Sequence, residues 1–380
     1  MSNLAWLDTS PEDERRMREI VRMFSDTSTL DDLGIGQVRD GLADLLFPGT
    51  STVHTRARYF LIVPWAFEKA AAKHTGTMIT SKANDAERKI IEALRRAGPV
   101  KGMVGAQAGK ALQTLPSSLY WSALQRYGIL ADARTLTWNI PLTAPDGFPR
   151  KVDGGLTLNR DEADWLKERI LVSAPHSYLA YLLKDGLETD PADATAPWLH
   201  PALAEAPSGI QGAVEHARLF SLAINGAALI YNQLIAEKYD SLAEDGNSYT
   251  GRYTERLDTW ATEMEANQDN FERWDLTSFW ATVLQGRGGR PVAPGTQLFV
   301  ESWFGTLRGS DPRAVVTDEK VRSSIAERER VNKGAQSRLQ NDRQIINWGG
   351  ASGAGRLVYR WPNVQTLLAD IREGLADASS

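Results

Sequence analysis

Cysteine is absent from all 380 residues, which removes disulfides, thiolate nucleophiles and thiolate metal sites together. Histidine is scarce. His54, His74, His176, His200 and His216 lie far apart, and none has a second histidine at helical ligand spacing. His216 stands beside Glu215 on an apolar stretch, a pattern that fits a satisfied histidine better than a metal ligand. No serine elbow of the Gly-x-Ser-x-Gly kind occurs. The glycine-rich "WGGASGAG" lacks both the lysine and the following helix of a phosphate loop, so it reads as a flexible turn. Long apolar runs are missing too: the best, Tyr59 to Phe67, contains Pro64 and stops at Glu68, well short of the ~18 residues of a membrane span. "MSNLAWLDTSPEDERR" has no basic region leading into an apolar one, so no secretory signal is expected. These absences lead us to expect no metal, no cofactor, no membrane segment and a cytoplasmic location.

What is present is a globular composition, 42% hydrophobic and 24% charged, in a chain long enough for two or three domains. The net charge of -5 is unevenly spread. The first 50 residues carry ten acids against five arginines, whereas Ser51 to Arg126 carries twelve cations against four acids. A second basic stretch, Lys320 to Arg343, has seven cations against three acids. Two such segments in an acidic protein fit phosphate binding on one face, or pairing with the acidic segments inside the fold.

Most of the chain has helical periodicity. "DTSPEDERRMREIVRMFSD" opens on Ser10 as N-cap and Pro11, then stripes Met17, Ile20, Val21 and Phe24. "TLDDLGIGQVRDGLADLLF" follows as a second helix, ended by Pro48 and Gly49. Between Asn84 and Arg150 the order is helix, "GAQAGKALQTL" as a second helix, a third helix capped by Ser117 or Ser118, then a hairpin of "ARTLTWNIPL" with "FPRKVD". That order matches a winged helix-turn-helix whose third helix reads nucleic acid, or a structural helical subdomain with a hairpin lid. Asp185 to Gly209 reads as a linker or exposed loop, and "LVYRW" as a short strand before a closing helix. The fold class is therefore mainly α with minor β, multi-helical, with a winged-helix-like module in the N-terminal half. The domains are drawn at 1–83, 84–155, 156–310 and 311–380.

The segment "LFPGTSTVHTRARYFLIVPW", Leu46 to Trp65, concentrates the polar chemistry. Its hydroxyls, Thr50, Ser51, Thr52 and Thr55, are placed to cap the next helix. Arg56 and Arg58 lie about 200° apart if helical, at ~100° per residue, and cannot share a face. One arginine is expected to pair inward, with an acid such as Asp40 or Asp44, and the other to remain exposed for phosphate. Adjacent acids such as Asp31 and Asp32 read as solvated charges or caps.

Together "LAWLD", "DDLGIGQVRD", the Leu46–Trp65 segment, "LPSSLYW", "FSLAINGAALIYN", "KGAQSRL" and "YRWPNV" resemble a bacterial family named domain of unknown function 6361, from Leu4 to about Leu375. The resemblance implies a setting: members often lie near helicase-like and phospholipase D-like genes in antiphage defence islands. It implies no catalytic residue. The functional expectation is a non-catalytic nucleic-acid-binding or scaffolding subunit of a defence complex, with DNA as the first candidate ligand and helicase-like or phospholipase D-like proteins as partners. The binding candidates are Arg56, Arg58, Lys110, Ser117, Ser118 and Arg126 in the first basic segment, and Arg328, Lys333, Arg338 and Arg343 in the second. The alternatives are a hydrolase or nuclease assembled from distant parts, with His54 and Arg58 beside acids of the second helix, and a purely protein-binding adaptor.

Overall fold

A computed structural model describes residues 31–98, 100–109, 112–242 and 248–376. The helix expected over residues 10–24, the "LAWLD" motif and Lys110 lie outside these. Among the described residues there are fifteen α-helices and one two-stranded sheet, so the protein is mainly α with minor β. Two compact units are interleaved along the chain, one from residues 1–39, 218–276 and 291–357, the other from 40–217, 277–290 and 358–380. Because each unit gathers three separated segments, its borders do not fall at 83, 155 or 310.

In the second of these units, α1 (Gly36–Leu46) contributes its residues from Asp40 onward. Next comes α2 (Tyr59–Ala71), where ten of thirteen residues are buried. A helix apolar on every side has no face to offer water and becomes the centre around which others pack. Amphipathic α3 (Thr77–Ala97) lies against it, burying Ala83, Ala86, Ile90, Ile91 and Leu94 at spacings of three and four. The short α4 (Pro116–Arg126) also packs on α2. Further on, α5 (Arg160–Ser173) starts from a capping box, Asn159 with Glu162, and packs on the closing α15 (Trp361–Ala376). Between α5 and the residues that follow, the chain breaks at Pro175 and resumes as α6 (Tyr178–Asp185).

The helix–helix–helix–hairpin order expected over 84–150 forms only in part. Gly105 and Gly109 take φ of +78° and +53°, and the described residues of the middle segment, 105–109 and 112–115, form no α-helix. The hairpin closes early: β1 (Leu130–Asp132) pairs antiparallel with β2 (Thr137–Trp138), and Asp132 Oδ1 accepts the Arg134 N–H in the turn between them. "FPRKVD" is not a strand, and its Pro149 has no N–H for a ladder. "LVYRW" is not one either, because Tyr359 and Arg360 adopt φ of +51° and +67°. The segment 185–209 is no exposed linker. It winds through three 3-10 turns, buries Pro191, Ala194, Ala196 and Pro197, and Ala194 O accepts the Trp361 indole N–H.

In the other unit, α7 (Ser208–Leu242) contributes the residues from Arg218 onward. This helix is long and apolar enough to cross a membrane by length and composition, and 89% of its most apolar window is buried in the protein. Helices α8 (Thr250–Ala266) and α9 (Gln268–Glu272) follow. The last helical residues before the next unit boundary open α10 (Leu276–Gly286), and α11 (Pro294–Leu307), α12 (Pro312–Thr317), α13 (Glu319–Lys333) and α14 (Asp342–Ile346) complete the set. Trp260 and Trp303 bury their rings here and donate to the Leu222 and Ala223 carbonyls of α7. Gly226 is required where it stands, because a Cβ would meet Trp260 at 2.2 Å.

Candidate functional site

The polar residues of the sequence motifs gather into two buried clusters, one in each unit. The first is built on Leu46–Trp65. None of its hydroxyls caps α2, whose N-cap is Arg58 without a side-chain cap bond; Thr50 instead donates to Phe47 O at 2.7 Å, inside the loop. Both arginines turn inward. Arg58 is 3% exposed; its Nη2 meets Glu162 Oε1 at 2.7 Å and its Nη1 donates to the carbonyls of Asp153 at 2.5 Å and Gly155 at 3.0 Å. Arg56 grips Asp370, with Nε at 3.0 Å from both carboxylate oxygens, and Asp370 also accepts the Ala57 N–H at 2.7 Å. The expectation of one arginine paired inward with Asp40 or Asp44 and the other exposed is therefore corrected: both are paired, Arg58 with Glu162 and Arg56 with Asp370. Asp44 is taken by Arg360 at 2.7 Å. Burial raises the Asp370 carboxyl above its ordinary value, and the Arg56 hydrogen bond works against that rise.

Tyr120 of α4 closes this cluster. Its hydroxyl accepts the N–H groups of Thr55 and Arg56 and donates to Arg56 O. His54 stacks on the Tyr120 ring at 4.3 Å between centroids, and Phe60 meets both rings edge-on. His54 Nε2 lies 3.1 Å from Leu119 O, so that nitrogen carries the hydrogen. Burial lowers the ring's pKa to about 4, so it is neutral at pH 7. Asn363 donates to Thr52 O and His54 O, and Arg360 to Thr50 O, so "YRWPNV" staples the loop from the other side. Ser117, expected at a nucleic-acid surface or as a cap, is buried; Glu87 of α3 accepts both its N–H and its hydroxyl at 2.7 Å.

In the other unit, Asp32 is 5% exposed and takes Lys333 at 3.0 Å, Arg338 at 3.4 Å and the Ser352 hydroxyl at 2.8 Å. Asn232 pairs with the Ser352 backbone through both halves of its amide, each at 2.7 Å, and Tyr253 donates to Gly350 O. Glu329, fully buried, accepts the Arg338 N–H and the Ser337 hydroxyl. Arg328 donates to the carbonyls of Leu33, Gly34 and Gly295. "DDLGIG", "KGAQSRL" and the glycine turn thus meet in one knot, and the turn is held in place. Of the adjacent acids, Asp31 is the cap expected, accepting Ile35 N–H and Gly36 N–H, while Asp32 is a buried ion-pair partner.

Of the ten candidate residues, Arg58 and Ser117 are buried, and Arg56, Arg328, Lys333 and Arg338 are committed to protein partners. Ser118 is half-buried, while Arg126 and Arg343 are exposed; Lys110 lies outside the described residues. Asp32, read from the sequence as a solvated charge or a cap, is buried instead, and Asp370, Glu162 and Glu87 were not singled out in the sequence at all. Their signal is an acid on the apolar stripe of a helix, as Asp370 beside Leu367, Leu368 and Ile371, or Glu87 beside Ala86, Ile90 and Ile91. The first basic segment also exposes cations that were not among the ten candidate residues. Lys89, Arg95 and Arg96 on α3, and Lys101 and Arg150 beyond it, are exposed, and Arg96 Nη2 reaches Arg150 O. Among the described residues, Lys89, Arg95, Arg96 and Lys101 meet no carboxylate.

Among the described residues no group of three or more His, Asp or Glu is arranged to hold a metal ion. No curated protein and no solved structure matches the chain. A family model described as "Family of unknown function (DUF6361)" matches residues 1–378, and with nearly the whole chain covered, the protein belongs to that family.

Proposed function

We propose that the protein is a non-catalytic, nucleic-acid-binding scaffold, a subunit that works beside helicase-like or phospholipase D-like proteins in bacterial antiphage defence. The observation that carries this reading is a set of exposed cations, Lys89, Arg95, Arg96, Lys101 and Arg150, which meet no carboxylate among the described residues, with Arg96 and Arg150 in contact. Charges without carboxylate partners attract phosphate and release counterions when they meet it. The defence setting comes from the family resemblance alone. The hydrolase alternative is disfavoured by His54, which is held neutral with a pKa of about 4, and by Arg58, which is enclosed by Glu162 and two carbonyls. A base working near pH 7 needs a pKa near 7.

The test is a salt titration by fluorescence anisotropy with duplex and single-stranded DNA and RNA. The affinity should fall linearly in log Kd against log salt. Reversing Lys89, Arg95 and Arg96 to Glu should flatten the slope by about 2 to 3, at ~0.7 to 0.9 per phosphate contact. Absence of salt-sensitive binding to every one of these ligands overturns the proposal.

A further inference from the structure

We infer that the outer face of α4 meets base edges in the major groove of duplex DNA, an inference that rests on the nucleic-acid reading above. The inner face of α4 is held rigidly. Ser117 is bound by Glu87, the Tyr120 hydroxyl is fixed by three backbone groups, and Ala123 and Leu124 are buried. The outer face is different in kind. Ser118, Ser122 and Gln125 follow at i, i+4 and i+7, so they form one stripe, with Arg126 beside it at the C-terminal end. Ser122, Gln125 and Arg126 are exposed and Ser118 is half-buried. None of the four side chains makes a hydrogen bond or ion pair within the described residues.

These residue types carry the chemistry of direct readout. Gln pairs bidentately with adenine, Arg with guanine, and Ser with either donor or acceptor edges. The helix carries no acidic residue that would repel phosphate, and its eleven residues span ~16 Å, a length suited to a groove about 12 Å wide. The hairpin that follows adds an exposed cation, Arg134, in the turn between β1 and β2. The nearest hairpin acid, Asp132, has its carboxylate tied to the Arg134 N–H. A rigid helix with neutral hydrogen-bonding groups outward and a cation at its end complements a groove lined by phosphates.

The experiment is selection from a randomised duplex library with the full-length protein, followed by anisotropy on the enriched site. The expected result is a short enriched motif. Gln125→Ala and Ser122→Ala should each lose discrimination at one or two positions, by roughly tenfold. Their melting temperature, and the salt slope on unrelated duplex, should stay as in the parent, because these exposed side chains hold nothing in the fold. No enriched motif, a motif unchanged in both variants, or binding confined to RNA or single strands overturns the inference while leaving phosphate binding standing. Loss of all salt-sensitive binding by the parent protein overturns the underlying reading as well.

Discussion

Replacing Arg58 by Met removes the cation from an ion pair whose two side chains are 4% and 6% exposed. Glu162 then keeps the Asn159 N–H as a partner but loses its counter-charge in a place water scarcely reaches. Breaking a buried pair from one side costs about 3 to 5 kcal/mol, most of it the penalty of the stranded charge. The carbonyls of Asp153 and Gly155 also lose their donor, but Asp153 is exposed and Gly155 half-exposed, so water replaces it at little cost. Adding Glu162→Gln neutralises the stranded group and keeps an acceptor for the Asn159 N–H. The double variant should therefore recover at least ~2 kcal/mol over the single one. Urea unfolding followed by tryptophan fluorescence measures both. A loss under ~1 kcal/mol for Arg58→Met, or a double variant as unstable as the sum of its parts, refutes the argument that Arg58 is there to neutralise Glu162.

Two buried groups of the same unit give opposing pH dependences. Burial pushes the Glu87 carboxyl up from 4.5 to about 7, so its contribution is full below pH 4.5 and is lost as pH rises toward 7. Burial lowers His54 from 6.5 to about 4, so its contribution is full above pH 6.5 and is lost as pH falls toward 4. Glu87→Gln removes the first effect; stability should then rise by roughly 2 kcal/mol between pH 4.5 and 6.5, and a profile identical to the parent's refutes this. In the other unit, Asp32→Asn keeps an oxygen for Ser352 but drops the charge facing Lys333 and Arg338. Those cations are 17% and 15% exposed and regain water, so the cost should be about 1 to 3 kcal/mol. Hydrogen exchange should accelerate first in residues 349–355, and unchanged protection there would show that Asp32 does not anchor the turn.

Much of the helical architecture was legible from local pattern. The unbroken apolar run after Arg58 announces a central helix, Ile90, Ile91 and Leu94 announce the buried face of α3, and Pro48 with Gly49 marks the end of α1. Local pattern misled where glycine and turn chemistry competed with periodicity, as at Gly105, Gly109 and the Asp132 turn.

Sequence by itself determined that these helices form and which stripe of each turns inward, because apolar spacing and caps act within one or two turns. It also determined that the Leu46–Trp65 segment carries an unusual density of groups needing partners. Only the tertiary structure decided who those partners are. Arg56 meets Asp370 across more than three hundred residues, Arg58 meets Glu162, and Asp32 meets Lys333 and Arg338. A charge does not encode its partner in its neighbours; the fold brings distant elements together, and the cost of leaving a buried charge unpaired then selects between arginines that hold the structure and lysines and arginines that remain free on its surface.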